Sequence, residues 1–329
     1  SNVGDIMTIC CKDFEPYNQA WSDQLLMNTP PNLIFSIFAS YDLMPTNEGC
    51  DLKYARKVPL KPVTTEIDMD CCGPDGNPCC IEYEFAIVKP RFYGCYAPIN
   101  KLCTIQSILP KVQSYVDEFS DQYRLSEDAV IGQIFRQNAS VYYAKCGNNG
   151  VFPTNQSGRD YLMAWTKIRK KRARYLTKAL YGNNIVDSRA VPSAFAALLH
   201  PDLVPDLYDL EPTFVPVSRY SRPDMALMSE EGYISKVRIL VGDQEVMDDI
   251  LVTREASDNG NDVYDIPIIG QNAYVSIRQK KFPPRILFRD KPGPYDKCMY
   301  ISWMASFGTG IINPNHMINM KVTMGGTTC

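Results

Sequence analysis

Two alternating segments limit this chain more than any other part of it. DLKYARKV (Asp51–Val58) and IEYEFAIVKP (Ile81–Pro90) both show polar–apolar alternation, strictest over Asp51–Tyr54 and Ile81–Phe85. A period of two places successive side chains on opposite faces of an extended strand. Between them, residues 59–80 are rich in proline and glycine and contain CCGPDGNPCC. A structureless stretch of that length does not fit inside a compact domain. The pair therefore reads as a projecting two-stranded excursion with an irregular tip. RFYGCYAPINKL (Arg91–Leu102) then runs extended toward the body of the protein.

Helical patterns precede and follow this hairpin. In NLIFSIFASYDLM, Leu33, Ile34, Ile37, Phe38 and Tyr41 share one face at i, i+3, i+4 spacing, which predicts a helix that stops before Pro45. With Phe35, this stripe sits on an arm (residues 1–49) and is expected to contact a neighbouring subunit. SILPKVQSYVDEFSDQY predicts a helix with Pro110 in its first turn and Val112, Tyr115, Val116 and Phe119 inward. A second helix, Ser126–Cys146, is expected to open on a serine cap followed by acids and to stop at Gly147. Its inward residues are Val130, Ile131, Ile134, Phe135, Val141 and Tyr142. A third helix, Asp160–Tyr181, is expected to end at Gly182-Asn183-Asn184. Short strands follow at Ile234–Val241, Val263–Ile269, Ala273–Gln279, Arg285–Arg289, Met299–Phe307 and His316–Met324. The class is α+β.

Composition removes several function classes. The net charge of −3 argues against a strongly basic nucleic-acid binder. The longest apolar stretches, Asn32–Ser40 and Ala194–Leu199, fall short of the ~20 residues that cross a bilayer, so no membrane partner is expected. SNVGDIMTICC has no positive flank and apolar segment, so no signal peptide is expected and intracellular synthesis is the default. Only His200 and His316 are present, which leaves little for histidine-based metal sites or triads. His200, near Ser193, Asp202 and Asp206, reads as a structural histidine at a strand end, since no G-x-S-x-G turn accompanies it. Neither a G-x-G-x-x-G nor a G-x(4)-G-K-[ST] motif occurs, and no cofactor is expected.

Of the 12 cysteines, most are expected to be buried small hydrophobes. Cys71, Cys72, Cys79 and Cys80 form the sharpest local signal. Four thiolates could hold zinc, although adjacent cysteines seldom reach one metal together; disulfides formed in an oxidising medium and free thiols remain the other readings. A basic run comprises Lys167, Arg169, Lys170, Lys171, Arg172, Arg174 and Lys178, with no acid between Tyr161 and Tyr181. It reads either as a solvated face or as a charge-driven contact with phosphate or an acidic neighbour.

The order of segments resembles the major capsid proteins of tailed bacteriophages, especially the short-tailed-phage branch. The resemblance rests on GCDLKYARKVPLKPVTTE, RFYGCYAPINKL, VYYAKCG, LTKALYGNNI, ALLHPDLVPDL, IPIIGQNAYVSI and YISWMASFGTGIINPNHMINMKV. Gly270, Ala273 and Tyr274 occupy the G-x-x-A-Y places, and Trp303, Phe307, Ile311, Asn313 and Pro314 those of W-x-x-x-F-x-x-x-I-x-N-P. The cysteine-rich hairpin tip departs from the family. The resemblance implies the capsid fold shared with encapsulins. Its parts would be an arm (1–49), an extended loop (50–90), a peripheral domain with the spine helix (91–150 and 271–329) and an axial domain (151–270). It also implies a non-enzymatic subunit that forms hexamers and pentamers in a virion shell assembled in the host cytoplasm. Its partners would be a portal, decoration proteins and weakly contacted double-stranded DNA. An encapsulin-like compartment is the competing reading, and a cysteine-dependent enzyme the third.

Overall fold

The computed structural model describes residues 33–45, 49–64, 80–101, 111–146, 148–149, 152–180, 189–210, 212–242, 248, 251–253, 262–290 and 298–324. Two sheets share one long helix. The first sheet has five strands: β1 (Ser40–Met44), β4 (Arg91–Asn100), β13 (Tyr274–Gln279), β14 (Arg285–Asp290) and β15 (Cys298–Ile311). The second has nine, in the order β6 (Asn148–Asn149), β5 (Ser140–Lys145), β16 (Met317–Thr323), β12 (Val263–Ile269), β7 (Phe195–Leu199), β10 (Val237–Val241), β9 (Glu230–Ile234) and β8 (Phe214–Pro216), with β11 (Val252–Thr253) on β12. The hairpin β2 (Leu52–Lys57) and β3 (Tyr83–Val88) forms a separate two-stranded ribbon.

Helix α1 (Lys111–Asn138) is ~42 Å long at 1.5 Å per residue and spans both sheets. Its first half places Tyr115, Phe119 and Tyr123 on Ile301, Trp303 and Phe307 of β15. Its second half places Ile131 and Phe135 on Ala196, Leu198, Leu240, Ile269 and Met317 of the nine-stranded sheet. The opposite face of that sheet is covered by α2 (Gly158–Lys170), through Tyr161, Ala164 and Ile168. Phe195, Ala197 and Leu199 point to α2, while Ala196 and Leu198 point to α1. That double cover explains why FAALL is apolar without alternation. Asp265, on β12, is also buried and meets Arg136 of α1 at 3.0 Å and Lys321 of β16 at 3.8 Å. Among the described residues, no helix is long and apolar enough to cross a membrane.

Several expected boundaries move. The two helices expected around Pro110 and Ser126 are one helix through Ser126, whose Oγ donates to the Gln122 carbonyl at 2.7 Å. Val141 and Tyr142 belong to β5, not to a helix. Helix α2 ends at Lys170, with Arg172 in the left-handed region at φ 62°, well before the expected Tyr181. Ile234–Val241 is two strands joined by a turn at Ser235 and Lys236. The remaining strand expectations near the C-terminus hold to within a few residues, β15 running on to Ile311.

Candidate assembly surfaces

The arm segment is not a helix. Ser36–Phe38 form one 3-10 turn, and Ser40–Met44 then add a parallel strand to β13. Burial explains the change: Ile34 and Phe35 enter the core beside Phe135, and the chain must turn to bring both in. Asp128 of α1 fixes this entry. Its carboxylate is fully buried and accepts the Ser36 N–H at 2.7 Å and the Ile34 N–H at 3.4 Å. Burial holds its pKa above the ordinary carboxylate value, while those same N–H groups pull it down. Tyr274 adds a hydroxyl donated to the Phe35 carbonyl at 2.6 Å. Ile34 and Phe35 are therefore core residues of their own chain, which corrects their assignment to a neighbour contact. Leu33 and Phe38 are half-buried, whereas Ile37 and Tyr41 are exposed.

Next to Asp128, Glu127 is buried and faces the five-stranded sheet. It accepts from Arg278 Nη2 at 2.7 Å, Tyr123 Oη at 2.9 Å and Ser276 Oγ at 3.2 Å. The Arg278 guanidinium also lies 4.7 Å from the centre of the Tyr41 ring. Successive acids on one helix thus hold two different elements: the arm and the sheet.

The hairpin forms where alternation predicts it. Its two faces differ in cover. Leu52, Tyr54 and Val88 sit on Val275, Ile277 and Ile312 at the base. Two glycines of β15 admit this close approach: a Cβ at Gly310 would lie 2.1 Å from Val88, and one at Gly308 2.4 Å from the Lys89 carbonyl oxygen. Arg56 ties the ribbon together by pairing with Glu84 and reaching Asn313. The other face carries Tyr83, Phe85 and Ile87, which are 48%, 57% and 59% exposed. Lys53, whose Nζ lies 3.8 Å from the Phe85 ring centre, lies over part of it. Sequence reading did not single these three out, although the apolar positions 81, 83, 85 and 87 on a projecting strand carry the signal.

The basic run divides between helix and loop. Lys167 is partly covered, its Nζ 4.2 Å from the Tyr142 ring centre, and burial lowers its pKa. Arg169 stacks near Tyr175 and donates to the Ala173 carbonyl at 3.0 Å. Lys170, Lys171, Arg172, Arg174 and Lys178 are exposed, and none forms a salt bridge among the described residues. They do not encircle one helix, since Arg172, Arg174 and Lys178 follow its end.

His200 follows β7 and is fully buried. Its Nε2 lies 2.7 Å from Asp248 Oδ1, and Nδ1 accepts the Asp202 N–H at 3.2 Å. Both nitrogens are engaged in holding loops, and among the described residues neither meets a serine hydroxyl. Cys71, Cys72 and Cys79 lie outside the described residues; Cys80 is a free, exposed thiol. Cys50 and Cys95 are exposed as well, and Cys298 is half-buried. Among the described residues, no group of three or more His, Cys, Asp or Glu is placed to hold a metal ion.

No family model and no curated protein sequence matches the chain. Solved structures do match, along nearly its whole length. The capsid of Ralstonia phage GP4 aligns at TM-score 0.65 and 9% identity, covering 98% of this chain and 99% of that one. The Cyanophage Pam1 capsid asymmetric unit aligns at TM-score 0.62 and 12% identity, covering 96% and 100%. The acidic stable capsid structure of Helicobacter pylori bacteriophage KHP30 aligns at TM-score 0.59 and 11% identity, covering 98% and 99%. At these identities the likeness is one of fold: this chain shares the fold of these phage capsid structures along nearly its whole length.

Proposed function

We propose that this chain is a phage major capsid protein, the repeated subunit of a closed icosahedral shell around double-stranded DNA. The observation that carries the reading is the hairpin face of Tyr83, Phe85 and Ile87, exposed on a fold matched end to end by capsid structures. Three large apolar side chains in a row on a projecting ribbon need a partner surface, and in a shell every copy can supply one to the next. Ile37 and Tyr41, on the outer side of the arm, are the remaining candidates for inter-subunit contact. The hairpin is the extended loop of this assembly, α1 its spine, and the nine-stranded sheet the bulk of the axial domain. Strands β5 and β16 belong to that sheet by pairing, so the boundaries at 150 and 271 do not separate the two sheets cleanly. Hexamers and pentamers assembled in the host cytoplasm, a portal and decoration proteins complete the proposal. Contact with packaged DNA would be weak and non-specific, as suits a net charge of −3.

Sedimentation velocity of the purified protein tests this. Discrete fast species of capsomer or shell size are expected. A single monomer-sized boundary at every concentration and salt would overturn the proposal.

A further inference from the structure

The nine-stranded sheet has two electrically opposite ends. β7 runs parallel to β10 and antiparallel to β12, so the start of β7 meets the end of β12. At that end the basic loop is stitched to the sheet: the Leu176 and Thr177 N–H groups donate to the Ala194 carbonyl, and the Gln271 N–H to the Arg174 carbonyl, each at 3.1 Å. Lys236 joins them, its backbone carbonyl bonded to the Phe195 N–H and its Nζ over Trp165 of α2. Lys170, Lys171, Arg172, Arg174, Lys178 and Lys236 are all exposed here. The segments forming this end, 165–180, 234–238, 269–273 and 312–317, contain no Asp or Glu.

The opposite ends of the same strands are acidic. Asp202 follows β7 and accepts the Tyr264 hydroxyl at 3.1 Å, and Asp248 holds His200. Asp206 and Asp209 lie on or just after the short helix α3 (Val204–Tyr208), whose Tyr208 hydroxyl donates to Glu231 at 3.2 Å. Asp262 precedes β12. Among the described residues, the exposed bases on this side are Lys145 and Arg159, against those carboxylates. Helix α2 runs from the acidic end to the basic one, roughly 20 Å at 1.5 Å per residue.

We propose that the basic end of one copy docks on the acidic end of the next, in a head-to-tail contact that repeats around a ring of subunits. The inference rests on the capsid reading and specifies the surface that reading leaves open. Identical chains with opposite charge on opposite ends satisfy each other at every step of a heterologous ring. Complementary patches of this kind steer encounter and fix register. A phosphate-binding role for the basic end would leave the acidic end unexplained.

The test is a charge swap in the full chain. One variant carries Lys170→Glu, Lys171→Glu and Arg174→Glu; a second carries Asp209→Lys and Asp262→Lys; a third combines all five. All five positions are at the surface, and circular dichroism confirms that each variant keeps its fold. The first two should lose capsomer formation by at least about tenfold in sedimentation velocity, and the combined variant should recover it. The proposal is overturned if either partial variant assembles like the parent, or if the combined variant assembles no better than the partial ones, the result expected of a nucleic-acid surface. If the parent itself stays monomeric, the capsid reading fails, and this contact with it.

Discussion

Replacing Asp128 by alanine should free the arm without unfolding the body. The carboxylate accepts two backbone N–H groups of the arm, one at 2.7 Å and one at 3.4 Å. A hydrogen bond to a charged group contributes about 1.5–3 kcal/mol, and the long second bond belongs below that range. Relief from burying the carboxylate offsets part of the loss, as its raised pKa indicates. A net cost near 2 kcal/mol raises the local opening constant about 30-fold. Native-state hydrogen exchange reads this directly, because arm amides can open without the sheets. The Ser36 amide should lose about that factor of protection while β7 and β12 amides keep theirs. Unchanged protection at Ser36, or equal loss throughout the chain, would refute the argument.

Acid titration gives a related outcome. The folded Asp128 pKa lies above the unfolded carboxylate value, so the folded state holds this proton where the unfolded state has released it. Its contribution to stability is fully present below about pH 3.9 and is lost as pH rises through the raised pKa. Stability of the parent minus that of Asp128→Asn should therefore fall across this window; a rise would sink the assignment. Gly310→Ala drives a Cβ into the stiff Val88 side chain and should cost about 1–3 kcal/mol in urea unfolding, with the hairpin base displaced. No loss would mean the hairpin does not sit there. Phe85→Asp and Ile37→Asp, at exposed sites, should change monomer stability by less than about 0.5 kcal/mol yet abolish fast-sedimenting species. Phe35→Asp should instead destabilise the fold by about 3 kcal/mol or more, because the new carboxylate enters the core. Normal particles from Phe85→Asp would remove the hairpin from the assembly surface.

The hairpin was readable because period two survives even where one strand face stays largely exposed in the single chain. The strands of the C-terminal third were readable for a related reason, since their apolar runs are short and bounded by turns. Helix α1 was misread because Ser126, Glu127 and Asp128 imitate a capped first turn. In the structure the serine bonds back within the helix, and the two acids serve Arg278 and the arm. Those partners are 149 to 151 and 92 to 94 residues away in sequence, which no local pattern carries. The arm failed differently. Its i, i+3, i+4 spacing also fits a single tight turn that buries two residues and then pairs a strand. Pairing with β13, far along the chain, decided between them. The two charged ends of the nine-stranded sheet were half visible: the basic run stands out in sequence, whereas the carboxylates gather only when the strand ends are brought together.

Electron microscopy of the expressed, purified protein tests the central claim most directly. Closed shells, or rings of five and six subunits with the hairpins laid against neighbouring copies, are the predicted image. A field of dispersed single subunits, unchanged by concentration or salt, would contradict the account.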